Sequence, residues 1–181
     1  MDFPTARLIP PPVLTPFNAE AYGLGRATFV LGGATSATWP ANDKAYYYPF
    51  RLHEFVTARQ LLFWVGATSS GNIDVAIYDS QLNRIVAAGS TAMSATVNTW
   101  QEINITDTDL HPGDYYLGVA CSTTAGTCFM SAGLADEQAL SKWPIYEQAS
   151  ALPLPNPAVP VLCTDATPPV MAVGIQFASV F

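Results

Sequence analysis

The stretch GNIDVAIYD, residues 71–79, decides the fold of this chain. Its apolar side chains recur at every second position, which is typical of a half-buried β-strand. One face carries Ile73, Val75 and Ile77, and the other carries Asn72, Asp74 and Tyr78. We therefore expect the first face to pack in a core and the second face to lie in water.

The segments around this stretch repeat the pattern. DSQLN followed by RIVAAG predicts a hairpin, and WQEINIT places Ile103 and Ile105 on one face. RQLLFWVG, residues 59–66, is apolar on both faces, which predicts a central strand covered on both sides. In GDYYLGVAC the shared face carries Tyr115, Leu117, Val119 and Cys121.

About nine such strand candidates occur, and they predict an all-β fold, an antiparallel two-sheet β-sandwich. They are RATFVL, AYYYPF, FVTARQLLFWVG, NIDVAIYD, RIVAAG, TWQEINIT, YYLGVAC, TCFMSA and VMAVGIQF. One short helix is expected, at LADEQALSKW, residues 134–143. The 181 residues correspond to one domain, which we place at 21–181, preceded by an arm at 1–20.

Two segments are rich in proline and apolar residues. Proline fixes an extended backbone and removes amide donors, so neither segment is a central strand. The first is the N-terminal arm, and the second is an extended segment at about 151–169 that contains ALPLPNPAVPVL. The arm is too apolar for a solvated linker, and it lies either on its own domain or on a neighbouring chain. The hypothesis is that both segments dock on neighbouring subunits. The arm residues expected in the interface are Phe3, Leu8, Ile9, Pro10, Pro11, Pro12, Val13, Leu14 and Phe17.

Charge and composition exclude several classes of function. The net charge of −7 repels phosphate, so we expect no nucleic-acid partner. No run approaches the about 18 consecutive apolar residues of a membrane helix, so we expect no membrane insertion. The N-terminus has no basic region followed by an apolar core, so we expect no signal peptide. We therefore expect the chain to be synthesised in a cytoplasm.

The order of SGNIDVAIYDSQLNRIVAAGS, NTWQEINIT and DTDLHPGDYYLGVAC resembles the jelly-roll-like β-sandwich domains of bacteriophage structural proteins. Those domains occur in tail, fibre and capsid-decoration components, and the resemblance covers roughly residues 59–131. It implies a virion location, other virion structural proteins as partners and a homo-oligomer, by analogy a trimer. The same pattern is similar to carbohydrate-binding and adhesin-like sandwiches, and it carries no functional residue over.

Catalytic and metal-binding interpretations are the weaker ones. His53 and His111 lie in no nucleophile or metal motif, so we interpret both as structural. Asp74 and Asp79 flank a strand, but carboxylates on a wet face are poor general acids. We expect no enzyme and no cofactor.

Other polar and sulfur-containing residues leave alternatives open. Asp107, Asp109 and Asp114 surround a turn, where turn capping explains them better than calcium does, and we expect no metal. Asn104 begins a glycosylation sequon that matters only in a secreted chain. Cys121 and Cys128 flank STTAGT and either form a disulfide or remain buried thiols. We expect Cys163 to be a buried thiol.

Four aromatic residues form the remaining candidate site. Tyr46, Tyr47 and Tyr48 are consecutive, so strand alternation places at least one on the opposite face from the others. With Trp39 they provide either a stacking platform for a host-surface glycan or a buried layer or subunit contact, and we favour the contact. The hypothesis is a non-enzymatic structural protein of a phage particle, and the alternative is a carbohydrate- or receptor-binding module.

Overall fold

The computed structural model describes residues 18–20, 26–28, 34–131, 145–164 and 173–177. The regular structure of these residues is entirely β-strand, which confirms the all-β prediction. The strands are β1 (Asn18–Glu20), β2 (Arg26–Thr28), β3 (Ala34–Thr38), β4 (Ala45–Leu52), β5 (Val56–Val65), β6 (Asn72–Asp79), β7 (Arg84–Ala87), β8 (Thr91–Ala92), β9 (Thr99–Leu110), β10 (Gly113–Cys121), β11 (Thr127–Ser131), β12 (Tyr146–Gln148), β13 (Val161–Leu162) and β14 (Val173–Phe177). Nowhere in these ranges is there a helix long and apolar enough to cross a membrane. The helix expected at residues 134–143 lies outside them.

The strands form two antiparallel sheets of seven strands each, so the two-sheet β-sandwich is confirmed. Sheet A has the order β1-β2-β14-β5-β11-β3, with β9 paired to β5. Sheet B has the order β13-β12-β4-β10-β6-β7, with β8 paired to β6. β4 pairs with β10 in sheet B, and the strands next to them in the chain, β5 and β9, pair with each other in sheet A. A two-stranded ribbon thus crosses from one sheet to the other, as in a jelly roll.

The main core lies between the two sheets, on the faces that alternation predicts. β6 contributes Ile73, Val75 and Ile77, all fully buried, and Ile103 of β9 is buried among them. β5 is buried on both faces as expected, because Leu61 and Phe63 lie in this core while Leu62, on the other face, is also fully buried. Burying apolar side chains at about 25 cal/mol per Å² is the main force that holds the sheets together.

The second face of β6 corrects the sequence-based prediction. Asn72 is exposed, but Asp74 and Tyr78 are fully buried instead of lying in water. The outer face of sheet B is covered by residues 151–158, which add a second apolar layer to the sandwich. This layer contains Ala45, Tyr47, Ala76, Tyr78, Ala120, Ala151, Leu154 and Ala158.

Residues 151–158 belong to the second proline-rich segment, which we expected to dock on a neighbouring subunit. That expectation is wrong for these residues, because Leu154 and Ala158 pack on the chain's own sheet. The prolines fix the φ angle at their own positions and leave few amide donors to satisfy. The part of the segment beyond residue 164 lies outside the described residues.

The N-terminal arm remains a prediction. Residues 18–20, which the sequence assigned to the arm, form β1 in sheet A and pair with β2. Residues 1–17, with all of the expected interface side chains, lie outside the described residues.

Gly118 of β10 provides a test of how tightly the second layer packs. A Cβ added at Gly118 would lie 2.8 Å from Tyr78 Cε2 and 3.1 Å from Tyr47 Cε1, and both rings are fully buried. We predict that Gly118→Ala lowers the free energy of unfolding by about 1–3 kcal/mol, because the rings must move. Chemical denaturation measures the change.

Gly113→Ala on the same strand is the matched control. A Cβ there would meet nothing nearer than 3.6 Å, so the change should stay within about 0.5 kcal/mol. Equal stability of the two variants would show that the second layer is loosely packed.

Candidate functional site

The four aromatic residues predicted as a site all lie inside the chain. Trp39, Tyr46, Tyr47 and Tyr48 are at most 2% exposed. Trp39 Nε1 donates a hydrogen bond to Lys44 O at 2.9 Å, and the Trp39 and Tyr46 rings meet edge to face at 5.5 Å. These rings therefore form buried layers, which is one of the alternatives that the sequence offered, and they present no face to a sugar or to another subunit.

Alternation along β4 explains their positions. Tyr46 and Tyr48 point into the core between the sheets, whereas Tyr47 points outward beneath residues 151–158. The inference that at least one tyrosine lies on the opposite face is confirmed, and another layer of this chain covers it. Tyr47 Oη donates to Gln148 Oε1 at 3.1 Å, which also accepts the N–H of Val159 at 3.0 Å.

Asp74 is the one polar residue fully buried among the described residues, and it holds residues 151–158 in place. Its Oδ2 accepts the N–H of Leu154 at 2.9 Å, while its Oδ1 has no hydrogen-bond partner among the described residues. Burial raises the pKa of Asp74, and the Leu154 N–H and the nearby Arg84 oppose that rise.

Three further hydrogen bonds attach the same segment to sheet B. Tyr78 Oη donates to Pro155 O at 2.7 Å, and burial raises the pKa of this phenol. The guanidinium of Arg84 donates to Leu154 O, and the Arg84 N–H donates to Asn156 Oδ1 at 2.9 Å. The polar backbone atoms of residues 154 and 155 are thus satisfied although they lie against an apolar layer, as buried polar groups must be.

The geometry separates Asp74 from Asp79. Five residues of extended strand put them roughly 16 Å apart, beyond the about 5–9.5 Å that paired carboxylates of glycoside hydrolases span. Asp79 Oδ1 instead accepts the N–H groups of Gln81 and Asn83, which closes the turn between β6 and β7.

The acidic residues near the β9–β10 turn each have a separate protein partner. Asp107 pairs with Arg59 at 3.2 Å, and Asp109 accepts a hydrogen bond from Thr57 Oγ1 at 2.7 Å. Asp114 forms a two-pronged ion pair with Arg51, and the hydrogen bonds of that pair hold the pKa of Asp114 below its usual range. In the described ranges no three His, Cys, Asp or Glu side chains come together in a way that would hold a metal ion.

The remaining polar candidates stay at the surface. His53 and His111 are exposed, and the His111 ring lies against Phe55 with 5.4 Å between ring centroids. Asn104 is exposed, and its Oδ1 accepts a hydrogen bond from Gln60 Nε2 at 2.7 Å across the β5–β9 pair. None of these contacts assembles a nucleophile, a base and an orienting group.

The cysteines are free thiols. Cys121, Cys128 and Cys163 are buried and unbridged, which decides the alternative that the sequence left open. Burial raises the pKa of Cys128 to about 12 and also raises the pKa of Cys121. A thiol with a raised pKa carries little of the reactive thiolate, so Cys121 and Cys128 act as small apolar core residues. The Cys163 thiol instead donates a hydrogen bond to Glu147 Oε2 at 3.2 Å.

The most exposed apolar surface among the described residues is the β13 edge, which we define as residues 159–162. Val159, Val161 and Leu162 are 76%, 64% and 58% exposed, respectively. β13 is the last strand of sheet B and pairs only with β12 among the described strands. Residues 149–164 contain no Asp, Glu, Lys, Arg or His, and the nearby Glu147 forms an ion pair with Lys44 at 2.8 Å. Charges protect many edge strands from pairing, and this edge has none.

Sequence reasoning missed two features. The β13 edge could not be predicted, because the sequence VPVL does not indicate which of its side chains are exposed to solvent. Trp64 and Trp100 pair across β5 and β9 on the outer face of sheet A, with ring centroids 5.3 Å apart. The apolar character of both faces of β5 indicated Trp64, but nothing local to either strand indicated their register.

We predict that Asp74→Ala is less stable than Asp74→Asn by about 1–3 kcal/mol, because only asparagine keeps an acceptor for the buried Leu154 N–H. Neither variant ionises at this position, so the difference should hold at every pH. Urea unfolding measures it.

The free energy of unfolding of the wild type should depend on pH through the Asp74 carboxyl. Since the folded state raises the pKa of Asp74, its contribution is full below the unfolded pKa of about 4 and declines as pH rises through the folded pKa. The wild type should therefore lose stability relative to Asp74→Asn above about pH 4. A difference that stays constant with pH would contradict the burial of a carboxylate here.

Comparison with known proteins gives no match: no family model, no curated protein and no solved structure matches this chain. Its function is therefore argued from the geometry described above.

Proposed function

We propose that this chain is a non-enzymatic structural protein of a bacteriophage particle, where it docks on neighbouring subunits as a capsid decoration or a tail or fibre accessory component. The observation that carries the proposal is the β13 edge, an uncharged sheet edge with three exposed apolar side chains on a chain of net charge −7. Exposed apolar side chains grouped together, unlike isolated ones, mark a protein contact. The sequence resemblance to phage structural sandwiches supports the same role.

The covered face of sheet B supports this role in a second way. A broad sheet face that the chain itself seals is not available to a substrate or a partner. A rigid sandwich that exposes one apolar edge is suited to assembly, and the proposed location is the virion, with other virion proteins and further copies of the chain as partners.

Quantitative mass spectrometry of gradient-purified particles of the encoding phage tests the proposal. We predict that the chain bands with the particles at a fixed ratio to the major capsid protein, because a structural component occupies symmetry-defined positions. A non-structural phage protein of similar expression level serves as the control. Absence of the chain from particles, or a ratio that varies with washing, would contradict a structural role.

A glycan- or receptor-binding module is the second candidate, and the observation that favours it is the Trp64–Trp100 pair. Both rings are half-buried on the outer face of sheet A, in the same two strands as the hydrogen-bonded Gln60 and Asn104. Aromatic rings beside amide side chains can stack on a sugar and bind its hydroxyl groups. The four aromatics of the earlier prediction have no part in this candidate.

For this candidate we predict that the folded protein binds on a glycan array and that Trp100→Ala abolishes the binding without unfolding the chain. Phe55→Ala, which removes an exposed ring from another part of the surface, is the matched control and should bind as the wild type does. A blank array with folded wild-type protein would reject the candidate.

A further inference from the structure

We propose that the β13 edge is the binding site for the N-terminal arm, residues 1–17, of a second copy of this chain. The arm would lie along β13 and extend sheet B by one strand across the boundary between the two copies. The inference deepens the proposed function and rests on it, because it names the neighbouring subunit on which the chain docks. It is carried by the backbone of β13, the position of β1 and the charges of the two segments.

The backbone of β13 has hydrogen-bonding groups to offer. Its inner side is used by β12, through the pairs Tyr146 with Leu162 and Glu147 with Val161. Cys163 N–H donates to Ile145 O at 3.0 Å, so Cys163 faces β12, and alternation turns the N–H and C=O of Leu162 away from it. An extended peptide that adds to a sheet edge binds through such groups and gains specificity from alternate side chains.

The side chains of the edge are not covered by the part of the chain that the structure describes. Val159, Val161 and Leu162 are each more than half exposed. The other large apolar side chains exposed among the described residues, Phe55, Ile85 and Val97, are less exposed, at 49%, 40% and 38%. Among the described residues nothing covers this edge, and we assign its cover to a second copy of the chain.

The position of β1 brings an arm to the correct side of the sandwich. In the packed sheets β9 lies against β7, so β9 of sheet A and β7 of sheet B share one side. β1 ends sheet A and β13 ends sheet B, and both therefore lie on the opposite side. Residues 1–17 lead directly into β1, and at about 3.3 Å per residue they span up to roughly 56 Å when extended. That reach extends well beyond one copy.

Charge favours a segment of this same chain as the occupant. Two copies of net charge −7 repel each other, so a contact between them forms where neither surface is charged. Residues 149–164 contain no Asp, Glu, Lys, Arg or His, and within residues 1–17 the side-chain charges of Asp2 and Arg7 cancel.

The composition of the arm suits an extended, apolar edge. It carries the apolar residues Phe3, Leu8, Ile9, Val13, Leu14 and Phe17. The proline-free stretch of residues 5–9, TARLI, keeps every amide donor that an added strand requires. Proline on both sides of that stretch lowers the entropy lost when the arm becomes ordered.

The first experiment measures self-association of the full-length chain by sedimentation velocity over a range of concentrations. We expect the wild type to associate, and the double variant Val161→Asp/Leu162→Asp to weaken association at least tenfold. Leu8→Asp/Ile9→Asp, on the other partner of the contact, should weaken it equally. Val97→Asp is the matched control and should associate as the wild type does. Circular dichroism confirms that each variant is folded.

The second experiment identifies which copy supplies the arm. Chains carrying Leu8→Cys and differently tagged chains carrying Leu162→Cys are mixed and oxidised, while the three native thiols stay buried. We expect a disulfide that joins the two tags. In the double variant Leu8→Cys/Leu162→Cys, crosslinks between chains should exceed those within one chain at concentrations where the protein associates.

Three results would overturn the inference. In the first, the wild type stays monomeric at all concentrations. In the second, the edge variant weakens association but the arm variant does not. In the third, crosslinks form only within one chain. Each of them leaves the proposed function intact if the chain is present in purified particles at a fixed ratio. Absence from particles together with intact arm-to-edge association would instead reject the proposed function and keep the self-association.

Discussion

The buried carboxylate of Asp74 is the interaction on which the outer half of this structure depends. A carboxylate with no exposure is costly unless it is hydrogen-bonded, and its bond to the Leu154 N–H fixes residues 151–158 against sheet B. That contact brings Tyr78 and Arg84 within reach of the same segment, which they bind through Pro155 and Leu154. The result is a third layer of chain outside the two sheets. The second apolar layer, between this chain segment and sheet B, is as fully buried as the core between the sheets.

This third layer changes how the proline-rich sequence is understood. Proline and apolar residues in alternation indicate a segment that is extended and must be covered, but they do not say by which surface. Here residues 151–158 use their own sheet, and only the continuation at residues 159–162 remains open. One segment thus has two roles. Its first part covers the outer face of sheet B, and its second part presents the apolar edge that we assign to assembly.

The sequence predicted the parts of the fold that local pattern controls. Alternation in β6, β9 and β10 identified strands and the faces that form the central core, because a period of two is a property of each strand alone. It failed at Asp74 and Tyr78, because the cover of that face comes from residues about 80 positions later in the chain. For the tyrosines, alternation showed that one ring lies on the opposite face, but it did not show that the cover over Tyr47 comes from the same distant segment. The β13 edge and the Trp64–Trp100 pair depend on tertiary register, which one sequence does not reveal.

Native-state hydrogen exchange of the Leu154 and Ala158 amides tests the central claim most directly. If residues 151–158 are an integral layer, these amides, bonded to Asp74 Oδ2 and Leu82 O, should exchange with the same opening free energy as the amides of β10. Exchange many orders of magnitude faster than in β10, at unchanged global stability, would show that the segment is a loosely attached strap and would contradict the account.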